Sequence, residues 1–216
     1  NRITAKTIGI NPAARTTCVK PAGTTSLVLG TSSGIHAWHN KYYIRRMRVG
    51  KNEAIYNYLA INHPELVQDE YFRPHDTAVI EIPQAAPKGS IVRTESAFDL
   101  LERVKKVATE WVATGHKSGS NTHNVSATIS LKDKEWEKAG EWMWENRNSY
   151  NGLSVLPYDG GTYTQAPFED INKTKYDEMT KLLQDIDLTK VVELNDNTDL
   201  SGELACAGGS CEVTSL

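Results

Sequence analysis

The sequence predicts an α/β fold, on three observations. Stretches rich in β-formers alternate with stretches of helical periodicity, the apolar content is enough for a packed core, and no internal repeat of fixed period imposes a solenoid. The chain has 216 residues, 39% of them hydrophobic and 24% charged, which excludes wholesale disorder and fits one ordinary domain or one lobe of something larger. Thr16 to Lys20 reads as a short strand, and Tyr42 to Val49 as a strand rich in β-formers. Asn52 is placed to cap a helix through about Ile61, and Ala78 to Ile82 is an apolar strand ended by Pro83. Ser96 is a good N-cap for a helix ending at Gly115, with Phe98, Leu101, Val104, Ala108, Trp111 and Val112 at helical spacing. Between Asn124 and Leu131, Val125, Ala127, Ile129 and Leu131 alternate with Ser126, Thr128 and Ser130, the pattern of a strand with one buried face. Asp133 to Trp144 reads as an amphipathic helix, Leu153 to Leu156 as a strand, and Lys175 to Ile186 as a third helix. Strands alternating with helices imply mainly parallel pairing. From Asn195 onward aromatics vanish and small polar residues dominate, so residues 195–216 are expected to be a mobile tail on a body of residues 1–194.

Charge and cysteine content bound the function. Lys and Arg number 24 against 27 Asp and Glu, a net charge of −3, which argues against a bulk nucleic-acid binder. No apolar run is long enough to span a membrane, and Asn1-Arg2-Ile3-Thr4 carries no apolar signal core, so neither nucleic acid nor membrane is expected as a partner. A fragment, a processed chain and a truncation all stay open. Three cysteines, Cys18, Cys206 and Cys211, are too few for a disulfide framework and suggest a reducing, cytoplasmic compartment.

The first chemical signal is Lys20-Pro21-Ala22-Gly23-Thr24-Thr25-Ser26, followed by the apolar run Leu27-Val28-Leu29. A Pro-Gly turn, then hydroxyl residues opening a helix, exposes backbone N–H groups, with Thr24, Thr25 and Ser26 adding donors and Gly23 allowing close approach. That is an anion cradle suited to phosphates. The plainer reading is a helix capped after a turn. It is not a P-loop, because no Gly-Lys-Ser/Thr follows at the required spacing. The second signal is Cys206-Ala207-Gly208-Gly209-Ser210-Cys211, a dithiol on a hinge of small residues. Such a pair can enter a pocket, reduce a disulfide through a mixed-disulfide intermediate, and swing out to be reduced itself. Zinc is a poorer fit, since no second close Cys/His pair supplies the other ligands, and two idle thiols remain open. Cys18 reads as a small buried hydrophobe. Lys41, Arg45, Arg46, Arg48 and Lys51 suit either contact with an anionic ligand or, as favoured, the solvated face of an edge strand. Trp136, Trp142 and Trp144 suit core or interface. Asn121, His123 and Asn124 suit turns or caps better than a ligand site.

Four segments together resemble the C-terminal part of adenosylcobalamin-dependent (class II) ribonucleotide reductases, in particular the monomeric ribonucleoside-triphosphate reductase branch. They are Lys20 to Ser26; Gly34-Ile35-His36 with Tyr43-Ile44-Arg45-Arg46; Gln165-Ala166-Pro167-Phe168-Glu169-Asp170-Ile171; and the Cys206/Cys211 pair. The resemblance implies the C-terminal portion of a ten-stranded α/β barrel with a flexible redox tail. It implies that Pro21, Ala22, Gly23, Thr24, Thr25 and Ser26 hold the phosphates of a ribonucleoside tri- or diphosphate. It implies that Cys206 and Cys211 re-reduce an active-site disulfide and take electrons from thioredoxin or a similar reductant. Adenosylcobalamin is the implied cofactor, lying broadly against residues 42–97 and 162–200, with no individual contact assigned; no metal site is expected. The family's radical cysteine, its nearby glutamate and its oxidisable cysteine pair would lie upstream, in an N-terminal remainder, so the chain alone is expected to be inactive. Two other readings stay open: a non-catalytic nucleotide-binding or assembly module, and a thiol–disulfide carrier.

Overall fold

The computed structural model describes residues 1–20, 24–119, 121–158 and 164–197. Its helices are α1 (Arg2–Ile8), α2 (Thr24–Val28), α3 (Ala54–Asn62), α4 (Ala97–Val107), α5 (Trp136–Glu145) and α6 (Lys173–Leu182). Its strands are β1 (Tyr42–Gly50), β2 (Val67–Asp69), β3 (Thr77–Ala85), β4 (Thr128–Leu131), β5 (Ser154–Pro157) and β6 (Phe168–Asp170). These form a mixed α/β structure with two small sheets and no closed barrel among the described residues. The chain divides into two compact units, one of Asn1–Ala37 with Thr94–Tyr158, the other of Trp38–Arg93 with 164–197.

In the first unit, β4 and β5 pair in parallel, from Thr128 opposite Ser154 to Leu131 opposite Pro157, with α5 as the crossover. A parallel pair needs such a crossover because the chain must return to its starting end. Ile129 and Leu131 are buried against Leu100, Leu101 and Val104 of α4 and against Ala139 and Trp142 of α5. Each large side chain fully buried there contributes about 1.5–3 kcal/mol of transfer free energy. The predicted cap of α4 is present: the Ser96 hydroxyl accepts from Asp99 N–H at 3.2 Å, and the Asp99 carboxylate accepts from Ser96 N–H at 3.0 Å. The helix runs on as one π turn over Ala108–Val112 and a 3-10 turn over Ala113–Gly115. Val112, about three turns after Leu101 and so on the same face, is in the core, while its neighbour Trp111 is half-exposed. The strand expected from Asn124 begins only at Thr128, because β5 starts at Ser154 and offers nothing earlier to pair with. Val125 and Ala127 are nevertheless buried, as the alternation implied.

The strand expected over Thr16–Lys20 does not form. That segment crosses the end of α4 instead, through a bridge between Arg15 and His116 and a bond from Thr16 N–H to Gly115 O at 2.9 Å. The Thr17 hydroxyl donates to Trp111 O at 2.6 Å. Gly115 is required there, since a Cβ on it would lie 1.9 Å from Thr17 Oγ1.

The second unit is a four-stranded sheet in the order β2-β3-β1-β6, antiparallel throughout. The expectation of mainly parallel pairing is therefore corrected. β1, α3 and β2 do follow one another as a crossover would, but β3 returns from β2 and takes the place between them. β1 is consequently an inner strand, not the edge strand expected from its charges. Arg45 is buried, and only a tenth of the Arg46 side chain is exposed. Pro83 does not end its strand. Ala86 N–H donates to Lys41 O, so even-numbered residues of β3 face β1 and Pro83 faces the other edge, which β2 leaves open beyond Ile80. Val49, Ala78 and Ile80 pack against Tyr58 and Leu59 of α3, with Ile186 and Val191 closing over them. α6, capped by Asn172, lies against β3 and β1, with Tyr176 against Tyr42.

Candidate functional site

Of the expected phosphate-binding residues, Pro21, Ala22 and Gly23 lie outside the described residues. Thr24 opens α2, Thr25 is exposed and Ser26 is buried. The Ser26 carbonyl accepts from Thr31 N–H at 2.9 Å and from the Thr31 hydroxyl at 3.2 Å, which closes the helix after little more than one turn. A helix that short has a small dipole, so any hold on an anion rests on local N–H and hydroxyl donors rather than on the helix as a whole.

The described residues on either side of this segment are fixed within the first unit. The incoming stretch is fastened to the end of α4, as above, and the Trp111 indole N–H donates to Cys18 O at 3.2 Å. Cys18 is exposed, which corrects its reading as a small buried hydrophobe: the segment is held by its backbone, leaving the thiol outside. The outgoing stretch folds back on the incoming one. Gly34 has φ +55°, and a Cβ on it would come within 3.3 Å of Lys20 O. Ile35 packs into the unit's core, and its carbonyl accepts from Arg103 Nη1 at 2.9 Å, while Arg103 also pairs with Glu95. His36 joins this loop to β4. Its Nδ1 lies 3.0 Å from Ser33 O, and its Nε2 lies 3.1 Å from the backbone nitrogen of Thr128. The Thr128 N–H can only donate, so Nε2 carries the lone pair and Nδ1 the proton. Burial holds the His36 pKa below its ordinary value. The Ser33 bond and Glu95 oppose that shift, and Arg103 adds to it.

The second unit contains the other two described motifs. His39 Nε2 is 2.9 Å from Asp170, its ring stacks on Phe168 at 4.9 Å, and Arg45 lies over Phe168 at 4.7 Å. His39 Nδ1 is buried without a hydrogen-bond partner among the described residues. Burial, reinforced by Arg93 and opposed by Asp170, lowers the His39 pKa to about 4, and burial raises that of Tyr43 to about 12. Arg46 ties the strands together: Nε donates to Glu81 at 2.7 Å, Nη1 to Ala166 O at 3.1 Å, and Nη2 to Glu169. Gln165, at φ +56°, accepts from Tyr71 N–H at 2.9 Å and donates to Asp69 O at 2.7 Å. Glu70 caps the same turn by accepting from Phe72 and Arg73 N–H. The turn presents Tyr71 and Phe72 outward as an edge-to-face pair, rings 5.1 Å apart.

Cys206 and Cys211 lie outside the described residues. Trp142 is buried, its indole N–H donating to Glu102 at 2.6 Å, whereas Trp136 and Trp144 are exposed. Asn124 accepts from Gly152 N–H at 3.1 Å, a tie between segments 28 residues apart rather than the turn or cap expected. Among the described residues no cluster of three or more His, Cys, Asp or Glu side chains is placed to hold a metal, and no helix is long and apolar enough to cross a membrane. The roles of His36, Arg103 and Gly115 were missed in the sequence. His36 stood in a quoted motif, but its partner Thr128 is 92 residues away.

Over nearly its whole length the chain is similar to adenosylcobalamin-dependent ribonucleotide reductases. It is 29% identical over 210 residues, 95% of this chain, to the adenosylcobalamin-dependent ribonucleoside-triphosphate reductase of Lactobacillus acidophilus. It is 29% identical over 209 residues to the enzyme of that name from Euglena gracilis. The crystal structure of a B12-dependent (class II) ribonucleotide reductase shares the fold over 92% of this chain, with a TM-score of 0.71 at 24% identity. The chain spans only about a quarter of these relatives, 27% of the length of each. No family model matches the chain.

Proposed function

We propose that this chain is the part of an adenosylcobalamin-dependent ribonucleoside-triphosphate reductase that grips the substrate's phosphates and carries its reducing arm. The observation that carries this reading is similarity along 95% of the chain to proteins of that name. The reaction replaces the ribose 2′-hydroxyl of a ribonucleotide by hydrogen, the oxygen leaving as water, with two electrons supplied by thiols. Backbone N–H groups of Pro21–Ser26 (the proline excepted) and the exposed hydroxyl of Thr25 hold the phosphates, with Lys20 exposed beside them. Cys206 and Cys211 transfer electrons by thiol–disulfide exchange. One thiolate attacks the active-site disulfide, the second resolves the mixed disulfide, and the tail leaves as a disulfide that a thioredoxin-like dithiol reduces. Adenosylcobalamin, when bound, supplies the radical that starts the reaction. Residues 42–97 and 162–200 form the proposed surface for it. The upstream remainder brings the radical cysteine and completes the barrel, in a reducing cytoplasm.

The test is reconstitution with the upstream remainder, adenosylcobalamin, thioredoxin and a ribonucleoside triphosphate, reading deoxynucleotide. Cys206→Ser and Cys211→Ser are each expected to abolish thioredoxin-dependent turnover while a small diffusible dithiol still supports it. Thioredoxin-dependent turnover that survives both changes overturns the shuttle.

A further inference from the structure

We propose that His36 is a positioning residue for the phosphate grip, holding the segment that leaves α2 against the segment that enters it, and doing so only in its neutral form. The inference rests on the proposed function of residues 21–26 and adds a device that controls it. Three observations meet at this loop. Gly34 lies against the Lys20 carbonyl, one residue before the grip begins, in a backbone conformation that a side chain would strain. Ile35 is anchored from the core side, by packing and by Arg103. His36 is anchored from β4, because its Nε2 accepts the Thr128 N–H. β4 is part of the unit's rigid core, so the imidazole transmits that rigidity to the loop and, through Gly34, to Lys20.

The hydrogen-bond roles decide the chemistry. A protonated imidazole carries hydrogen on both nitrogens, and Nε2–H would then face the Thr128 N–H, donor against donor. Protonation therefore breaks the link to β4 while leaving Nδ1–H free to keep Ser33. Two charged groups face the ring, Glu95 favouring the cation and Arg103 opposing it. They neutralise each other through their own ion pair. Burial then decides, and the link holds at neutral pH and opens in acid.

The experiment measures binding of a ribonucleoside triphosphate and of inorganic tripolyphosphate to the full chain by calorimetry between pH 5 and 8. The His36 ring is followed by NMR in the same samples. In the wild type, affinity is expected to fall as the ring protonates, with a shared midpoint below 6.5. His36→Gln places an amide oxygen where Nε2 was and does not titrate; it should keep near-wild-type affinity at pH 7.5 and show only the smaller acid decline that protonation of the probe's own terminal phosphate causes. His36→Asn reaches only Ser33 and should bind roughly tenfold more weakly at every pH, the scale of one lost hydrogen bond. An acid decline as large in His36→Gln as in the wild type, or His36→Asn binding as the wild type does, overturns the positioning role while leaving the grip intact. A wild-type chain that binds neither probe removes the grip and this inference with it.

Discussion

The two units solve the same problem with different materials. The main core cluster of the first holds ten buried residues, all apolar, from Leu100 to Trp142, around a parallel strand pair and two helices. The second has a smaller apolar cluster under α3 and surrounds it with charge: Arg45, Glu70 and Glu81 are buried, and Arg46 joins β1, β3 and the 165–169 segment. Apolar burial is non-directional, so the first unit needs only the right pattern and volume. Buried ion pairs must recover a large desolvation cost, which they do only with all partners in place. The first unit should therefore yield gradually to truncation, the second sharply to loss of one charge.

Leu101→Ala, at a fully buried position of α4, tests the first unit most strongly. It is expected to cost about 3–4 kcal/mol in denaturant unfolding, with hydrogen exchange rising in α4, α5 and β4. Exchange rising equally in β1 and β3 would show the two units sharing one cooperative transition. Glu81→Ala is the counterpart. It strands Arg46 beside Glu169, whose side chain is half-exposed, and should cost about 3 kcal/mol, localised to β1, β3 and β6. A cost near zero would mean the charges are ornamental to that sheet.

A smaller effect comes from pH. The folded His39 pKa of about 4 lies below the unfolded value near 6.5, so the unfolded chain takes up a proton first as pH falls. The stability His39 gives as a neutral ring is full above 6.5 and is lost as pH falls through about 4. Unfolding midpoints compared at pH 7 and pH 5 should show this loss in the second unit, and His39→Gln should remove that part of it. Ser96→Ala, which removes the cap of α4, should cost about 1 kcal/mol. Lys106→Ala breaks an exposed pair with Glu110 and should change stability by less than about 0.5 kcal/mol.

Legibility followed the same division. The alternation of Val125, Ala127, Ile129 and Leu131, the Ser96 cap and the helix ending at Gly115 were readable because each is a local pattern with a local cause. The strand of Tyr42 to Val49 was readable as a strand but not as an inner one. Its arginines suggest solvent until Glu81, 35 residues on, and Glu169, 123 residues on, are known to face Arg46. Within the candidate site the motif Lys20 to Ser26 was visible as turn chemistry. Its supports at Trp111, Gly115 and Thr128 were not, because each lies far along the chain.

What the sequence determined by itself is most of the pieces: the longer strands and helices, though not the short strands β2 and β6 or the irregular path of Thr16–Lys20, which residues are apolar enough for a core, and which carry hydroxyl or thiol chemistry. What only the tertiary structure decided is how charge and direction are settled. β3 inserts between β1 and β2 and makes the sheet antiparallel, opposite charges then meet Arg46, and a backbone N–H fixes which nitrogen of His36 holds its proton. Propensity acts over a few neighbouring residues, whereas the dielectric around a charge and the partner of a hydrogen bond depend on residues that meet only after folding.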